Sequence, residues 1–182
     1  MFLTRFTIDS DDPYHIHQVV KNLFQQTTRY LFRQHGGIVS VLSHDPPGKS
    51  CFDKSVEIIA SEDATFPETG KQVIIQTTFC PTKNAKQERG TKSKCEGISD
   101  QGVAKEWLDH HLEGNGCTVV QSMVAPLGIR RHEKKDGEVF IAIPHQAIAV
   151  VTVTNSSAFQ DLVSRGIGKC KFVGYGMLDI FG

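Results

Sequence analysis

The sequence predicts an α+β chain of two tandem ferredoxin-like modules, each an RRM-like β-α-β-β-α-β unit. Three observations predict it. Short stretches of period-two alternation are separated by apolar stripes of helical period. The order strand, helix, strand pair, strand runs once before residue 80 and in nearly the same form after residue 97. The 182 residues, 39% of them hydrophobic, are enough for two small domains with real cores. The division is expected between 85 and 90, giving an N-terminal domain over 1–85 and a C-terminal domain over 90–182. The two halves share no sequence identity that marks a repeat.

Phe2, Phe6 and Ile8 fall on one face of a first strand, with Arg5 and Thr7 on the other. Asp12-Pro13 supplies an N-cap and a first-turn proline. Ile16, Val19, Val20, Leu23 and Phe24 then make one apolar helical stripe. Tyr30–Phe32 and Ile38–Leu42 form a strand pair around Gly36-Gly37, and a Pro/Gly loop follows over His44–Lys49. Ser55–Gly70 is expected to hold a weak or shortened helix, and Val73–Phe79 a strand closing the first module. Thr82–Gly97 is polar and basic. A helix over Val103–Leu112 groups Val103, Trp107 and Leu108. Cys117–Ile129 and Val139–Val153 are rich in strand residues, with a charged turn, Arg130–Gly137, between them. Asn155 or Ser156 caps a short helix carrying Phe159, Leu162 and Val163, which Gly166 ends. A last strand is expected over Lys171–Phe181.

Composition narrows the function classes. No apolar run is long enough to span a bilayer, and the N-terminus lacks the continuous apolar core of a signal peptide, so a soluble cytoplasmic chain with no membrane partner is expected. The cysteines Cys51, Cys80, Cys95, Cys117 and Cys170 are odd in number and form no C-x-x-C pair, which points to free thiols rather than a disulfide framework or zinc site. Net charge is +0, which argues against a purely electrostatic nucleic-acid binder. The charge is uneven, however. Lys71, Lys83, Lys86, Arg89, Lys92 and Lys94 stand against Glu88 and Glu96, as a phosphate track or as a solvated loop.

Tyr14, His17 and Lys21 are spaced to be neighbours on the first helix, roughly opposite its apolar stripe. A solvated polar face and a functional cluster both fit that spacing. An imidazole near neutrality can give or take a proton, and a phenol and an ammonium beside it can position a phosphate. In Gly166-Ile167-Gly168-Lys169-Cys170-Lys171, with Gly174, Tyr175 and Gly176 just beyond, glycines let backbone approach a partner and two lysines suit phosphates. The spacing is not the dinucleotide-binding fingerprint. Arg130, Arg131, Lys134 and Lys135 form a cationic hairpin tip, diluted by Glu133, Asp136 and Glu138, that suits either a nucleic-acid groove or plain solvation. His110-His111 point about 100° apart on a helix and cannot easily share one ion, and no metal site is expected.

The Y-x-x-H pair opening the first helix (Tyr14, His17), the W-L helix at Trp107-Leu108 after a basic stretch, and the closing LVSRGIGKCKFVGYGMLDI occur in one order along the whole chain. In this the sequence resembles the CasE-type (type I-E-like) CRISPR RNA endoribonucleases of the RAMP superfamily. The resemblance implies two ferredoxin-like domains, binding of a CRISPR repeat RNA hairpin, and a metal-independent cut at the 3′ base of its stem. It also implies retention of the hairpin and entry into a surveillance (Cascade-like) complex with other subunits. It assigns His17 as general acid or base, Tyr14 as its helper at the attacking 2′-hydroxyl, and Gly166, Gly168 and Lys171 to a glycine loop near the RNA. Lys21, Arg130, Arg131 and Lys169 join the RNA-binding set on physical grounds, and no cofactor is implied. Two other readings stay open at this point: a catalytically inactive RAMP-type RNA-binding subunit, and a ferredoxin-like scaffold without nucleic acid.

Overall fold

The computed structural model describes residues 1–24, 29–48, 56–84, 95–133 and 137–182. Cys51, Lys86, Arg89, Lys92, Lys94, Lys134 and Lys135, invoked above, lie outside them.

In the first module β1 (Phe2–Ile8) leads to α1 (Pro13–Leu23), then β2 (Tyr30–His35), β3 (Ile38–Ser43) and β4 (Val56–Asp63). The strands make an antiparallel sheet in the order β2-β3-β1-β4. Asp12 caps α1 by accepting from the Tyr14 N–H at 2.9 Å. The stripe of Ile16, Val19, Val20 and Leu23 packs on Phe6, Ile8, Phe32, Val39 and Val41.

One expectation fails here. The segment Ser55–Gly70 was to hold a helix, but Val56–Asp63 is β4, paired along β1 from Phe2↔Asp63 to Ile8↔Val56. Val56, Ile58 and Ile59 favour strand, and every second residue of its first half turns inward. Residues 44–48, the described part of the preceding connection, hold no helix.

In the second module β5 (Gln72–Phe79) is followed by a hairpin of β6 (Thr82–Asn84) and β7 (Cys95–Gly97), then α2 (Gln101–Glu113) and β8 (Cys117–Pro126). A second hairpin, β9 (Arg130–Glu133) and β10 (Val139–Ala142), precedes β11 (His145–Val153), α3 (Ser156–Arg165) and β12 (Leu178–Phe181). The sheet order is β12-β5-β11-β8. Renumbered within the module, that is 4-1-3-2, the same order as the first sheet.

The expected division at 85–90 therefore assigned β5 to the wrong sheet. Gln72–Phe79 is flanked on both edges by second-module strands, β11 and β12, while β4 already completes the first sheet. By strand pairing the modules part between Asp63 and Gln72. The last strand is also shorter than expected. Gly174 and Gly176, both at φ +87°, break the alternation, and Lys171–Val173 forms a 3₁₀ turn instead. On α2 the buried stripe is Ala104, Leu108 and Leu112, and Val103 faces solvent.

Besides the core under α1, a larger core joins the modules. Val73, Ile75, Phe79, Leu108, Val151, Phe159 and Val163 of the second pack in one cluster with Leu31 and Leu42 of the first. Arg33 of β2 and Asp179 of β12 form a 2.6 Å ion pair between the two sheets.

Candidate active site

Helix α1 presents Tyr14, His17 and Lys21 along one flank of its buried stripe, each partly covered. His17 lies beside the stripe rather than opposite it, and it is not a solvated side chain. Rings of Tyr14, Tyr30, Phe32 and Phe172 surround its imidazole at 6.4, 6.1, 6.2 and 6.4 Å between centroids. The Tyr30 hydroxyl stands 3.4 Å from His17 Nδ1. Phe172 arrives from the second module, on the 3₁₀ turn that packs against α1 and β2.

This surrounding sets the charge of the imidazole. Burial holds His17 below the ordinary imidazole value, and the Lys21 ammonium adds to the effect. The ring is therefore mostly neutral at neutral pH. Burial likewise raises the Tyr30 phenol, which keeps its proton.

The glycine-rich loop carries the cations. Lys169 is exposed and Lys171 half-buried. The Lys171 ammonium is held below its usual value by burial first, then by Arg165, Lys169 and Arg29. Like charges in mutual reach form a site that a polyanion would relieve. The glycines approach the chain itself. A Cβ on Gly166, at φ +64°, would stand 2.6 Å from the Gly176 carbonyl oxygen and 2.8 Å from Leu31 Cδ1. On Gly168, at φ +71°, it would stand 2.7 Å from the Cys80 carbonyl oxygen. These two residues seat the loop on β2 and on the end of β5, and so aim Lys169 and Lys171.

The hairpin β9–β10 closes the other side. A cleft of about 470 Å³ separates Asp12, Pro13 and Tyr14 from Arg131, His132 and Glu133. His132 stacks on Phe140, with centroids 5.0 Å apart, and its Nε2 lies 3.3 Å from the Tyr175 hydroxyl. Burial, then Arg130, holds this imidazole below its ordinary value, and burial pushes the Tyr175 phenol up to about 12. Phe140 in turn meets Phe172 at 5.0 Å, so a row of rings runs from His132 to His17.

The structure thus brings Tyr14, His17, Lys21 and the loop bearing Lys171 together, and sets Arg131 across a cleft from Tyr14. The exposed Arg130 acts on His132 and Tyr175 through its charge. Sequence reasoning missed Tyr30, Phe172, Arg29, Arg165 and His132. Only Phe172 carried a signal, as the aromatic inside the glycine-rich segment. Among the described residues no group of three or more His, Cys, Asp or Glu is placed to hold a metal, and no helix is long and apolar enough to cross a membrane.

Comparison with known proteins gives this geometry a context. Cas6e of Escherichia coli K-12 is 22% identical, with a TM-score of 0.75 over 99% of this chain and 98% of that one. Cse3 of Thermus thermophilus, bound to an RNA representing a pre-cleavage complex, is 18% identical, with a TM-score of 0.81 over 100% and 98%. A chain of a CRISPR RNA-guided surveillance complex is 15% identical, with a TM-score of 0.75 over 99% and 98%. These likenesses establish the tandem ferredoxin-like fold. No curated protein matches the chain in sequence. The sequence pattern of the family described as CRISPR associated protein matches residues 1–181, so the chain belongs to the CRISPR associated protein family.

Proposed function

We propose that the chain is a metal-independent endoribonuclease. It cuts the repeat stem-loop of precursor CRISPR RNA and stays on the hairpin within a surveillance complex. The observation that carries this reading is His17: a neutral, half-covered imidazole beside two phenols, next to a loop of cations. The full-length likeness to a Cse3 bound to RNA, and to a surveillance-complex chain, supports the substrate and the partner.

The chemistry follows from the groups. The ribose 2′-hydroxyl upstream of the cut attacks the adjacent phosphorus while the bond to the 5′-oxygen breaks. A base takes the 2′ proton, and an acid protonates the leaving oxygen. The products are a 2′,3′-cyclic phosphate and a 5′-hydroxyl. Tyr30 occupies Nδ1 of His17, which leaves Nε2 to exchange the proton, and Tyr14 assists at the 2′-hydroxyl. Lys171 and Lys169 offset the charge of the phosphorane, while Arg130, Arg131 and Lys21 hold the flanking backbone. The N-terminal module supplies the proton-transfer pair. The C-terminal module supplies the basic hairpin and the glycine-rich loop.

The test is incubation of a 5′-labelled CRISPR repeat hairpin with the protein in EDTA. One cut at the 3′ base of the stem is expected, and His17→Ala should slow it by about 10²- to 10⁴-fold while leaving hairpin binding intact. Binding without any cut by the unsubstituted protein would identify a non-catalytic RNA-binding subunit instead. A chain that neither binds nor cuts would overturn the nucleic-acid reading.

A further inference from the structure

Cys80 follows the last residue of β5, and Cys170 lies in the glycine-rich loop far along the chain. The fold brings them together. Cys80 and Lys169 face each other in an isolated antiparallel bridge, and the Lys169 N–H donates to the Cys80 carbonyl at 3.0 Å. The bare Cα of Gly168 permits that approach. The next residue, Cys170, takes a left-handed φ of 60°, the one non-glycine among the described residues to do so. Cys170 thus follows directly on the residue bridged to Cys80, and the two thiols act on each other's titration. Cys80 is buried, whereas Cys170 is partly exposed and faces the Lys169 cation.

We propose that Cys170 and Cys80 form a peroxide-reactive dithiol in which Cys170 attacks and Cys80 resolves. The Cys170 thiolate displaces hydroxide from a hydroperoxide such as hydrogen peroxide, giving the sulfenic acid. The Cys80 sulfur then forms the S–S bond, losing its proton and expelling water. Two thiols are oxidised by two electrons and one peroxide is reduced. The electrostatics divide the roles. The neighbouring Cys80 thiol, helped by Lys169 against the effect of burial, holds Cys170 down at about 7, while Cys170 and burial push Cys80 up. Cys117, pushed up to about 11 by burial, is an unreactive thiol in the same chain and serves as the internal control.

The experiment treats the reduced full-length protein with one equivalent of hydrogen peroxide, blocks remaining thiols with iodoacetamide, and maps the peptides by mass spectrometry. The expected main product is the Cys80–Cys170 linked peptide, at least tenfold above any other cysteine pair and reversed by dithiothreitol, with Cys117 alkylated. Cys170→Ser should abolish the link and leave Cys80 alkylated. Cys80→Ser should leave Cys170 as a sulfenic acid that dimedone traps. Should the buried Cys80→Ser variant fail to fold, the Cys170→Ser result and the map of the unsubstituted protein decide. Links spread over several cysteines, or an unmodified Cys170 after peroxide, would overturn the proposal.

Discussion

Sheet β2-β3-β1-β4 is packed on one face by α1 and over part of the other by the second module, through Leu31, Leu42 and the Arg33–Asp179 pair. Sheet β12-β5-β11-β8 is packed on one face by its own helices, α2 and α3, and exposes Ile74, Ile148, Met123 and Phe181 on the other. The first module has one helix among its described residues and borrows its second cover. The second has both helices and needs no loan. The loan explains where the candidate site lies: the loop after α3 must cross to the first module, and in crossing it sets the edge of Phe172 against His17 and packs the turn bearing Lys171 on α1.

The strongest test of this asymmetry is a core truncation. Phe159→Ala, at a fully buried position of the shared cluster, should cost about 3–5 kcal/mol. Leu23→Ala, in the α1 core, should cost about 2–5 kcal/mol. If the first module depends on the second, both losses appear in one unfolding transition. Far-UV circular dichroism and the fluorescence of Trp107, on α2, should then give the same denaturant midpoint. A Leu23→Ala transition that Trp107 does not report would mean that the modules melt separately.

Gly168→Ala probes the loop that crosses. Its Cβ would enter the space of the Cys80 carbonyl at a left-handed φ, so a loss of about 1–3 kcal/mol in thermal unfolding is expected. Gly137→Ala, also at a positive φ but with nothing within 4 Å, should lose only the conformational part. Equal losses would mean that contact with β5 is unimportant.

Asp179 gives the smallest effect. Burial pushes its carboxyl above the ordinary value, and Arg33 reverses only part of that. The folded chain therefore binds more protons than the unfolded one between 3.8 and the raised value, and stability falls as pH rises through that window. Asp179→Asn should flatten the slope of Tm against pH just above the ordinary aspartate range. An unchanged slope would show that the ion pair holds the carboxyl near its ordinary value.

The residues that could be read in advance were those whose partners are close in sequence. The α1 stripe, its Asp12 cap and the Tyr14–His17 spacing all follow from the helical period alone. The fate of β5 was hidden because an alternating strand carries no label for the sheet it joins; pairing with β11 and β12 is settled by neighbours far along the chain. The neutrality of His17 was hidden for the same reason, since Tyr30 and Phe172 reach it from other elements. The glycines were seen as permitting close approach, but not that the approached backbone is the chain's own.

The crossing loop also bears on inheritance. A recombination crossover between Asp63 and Gln72 would exchange one whole sheet for another without cutting a strand. The offspring would keep His17 from one parent and take from the other Phe172, which meets it, and the loop that carries Lys169 and Lys171. A hybrid of two relatives would have to fit a shared core, and an aromatic against His17, drawn from different parents.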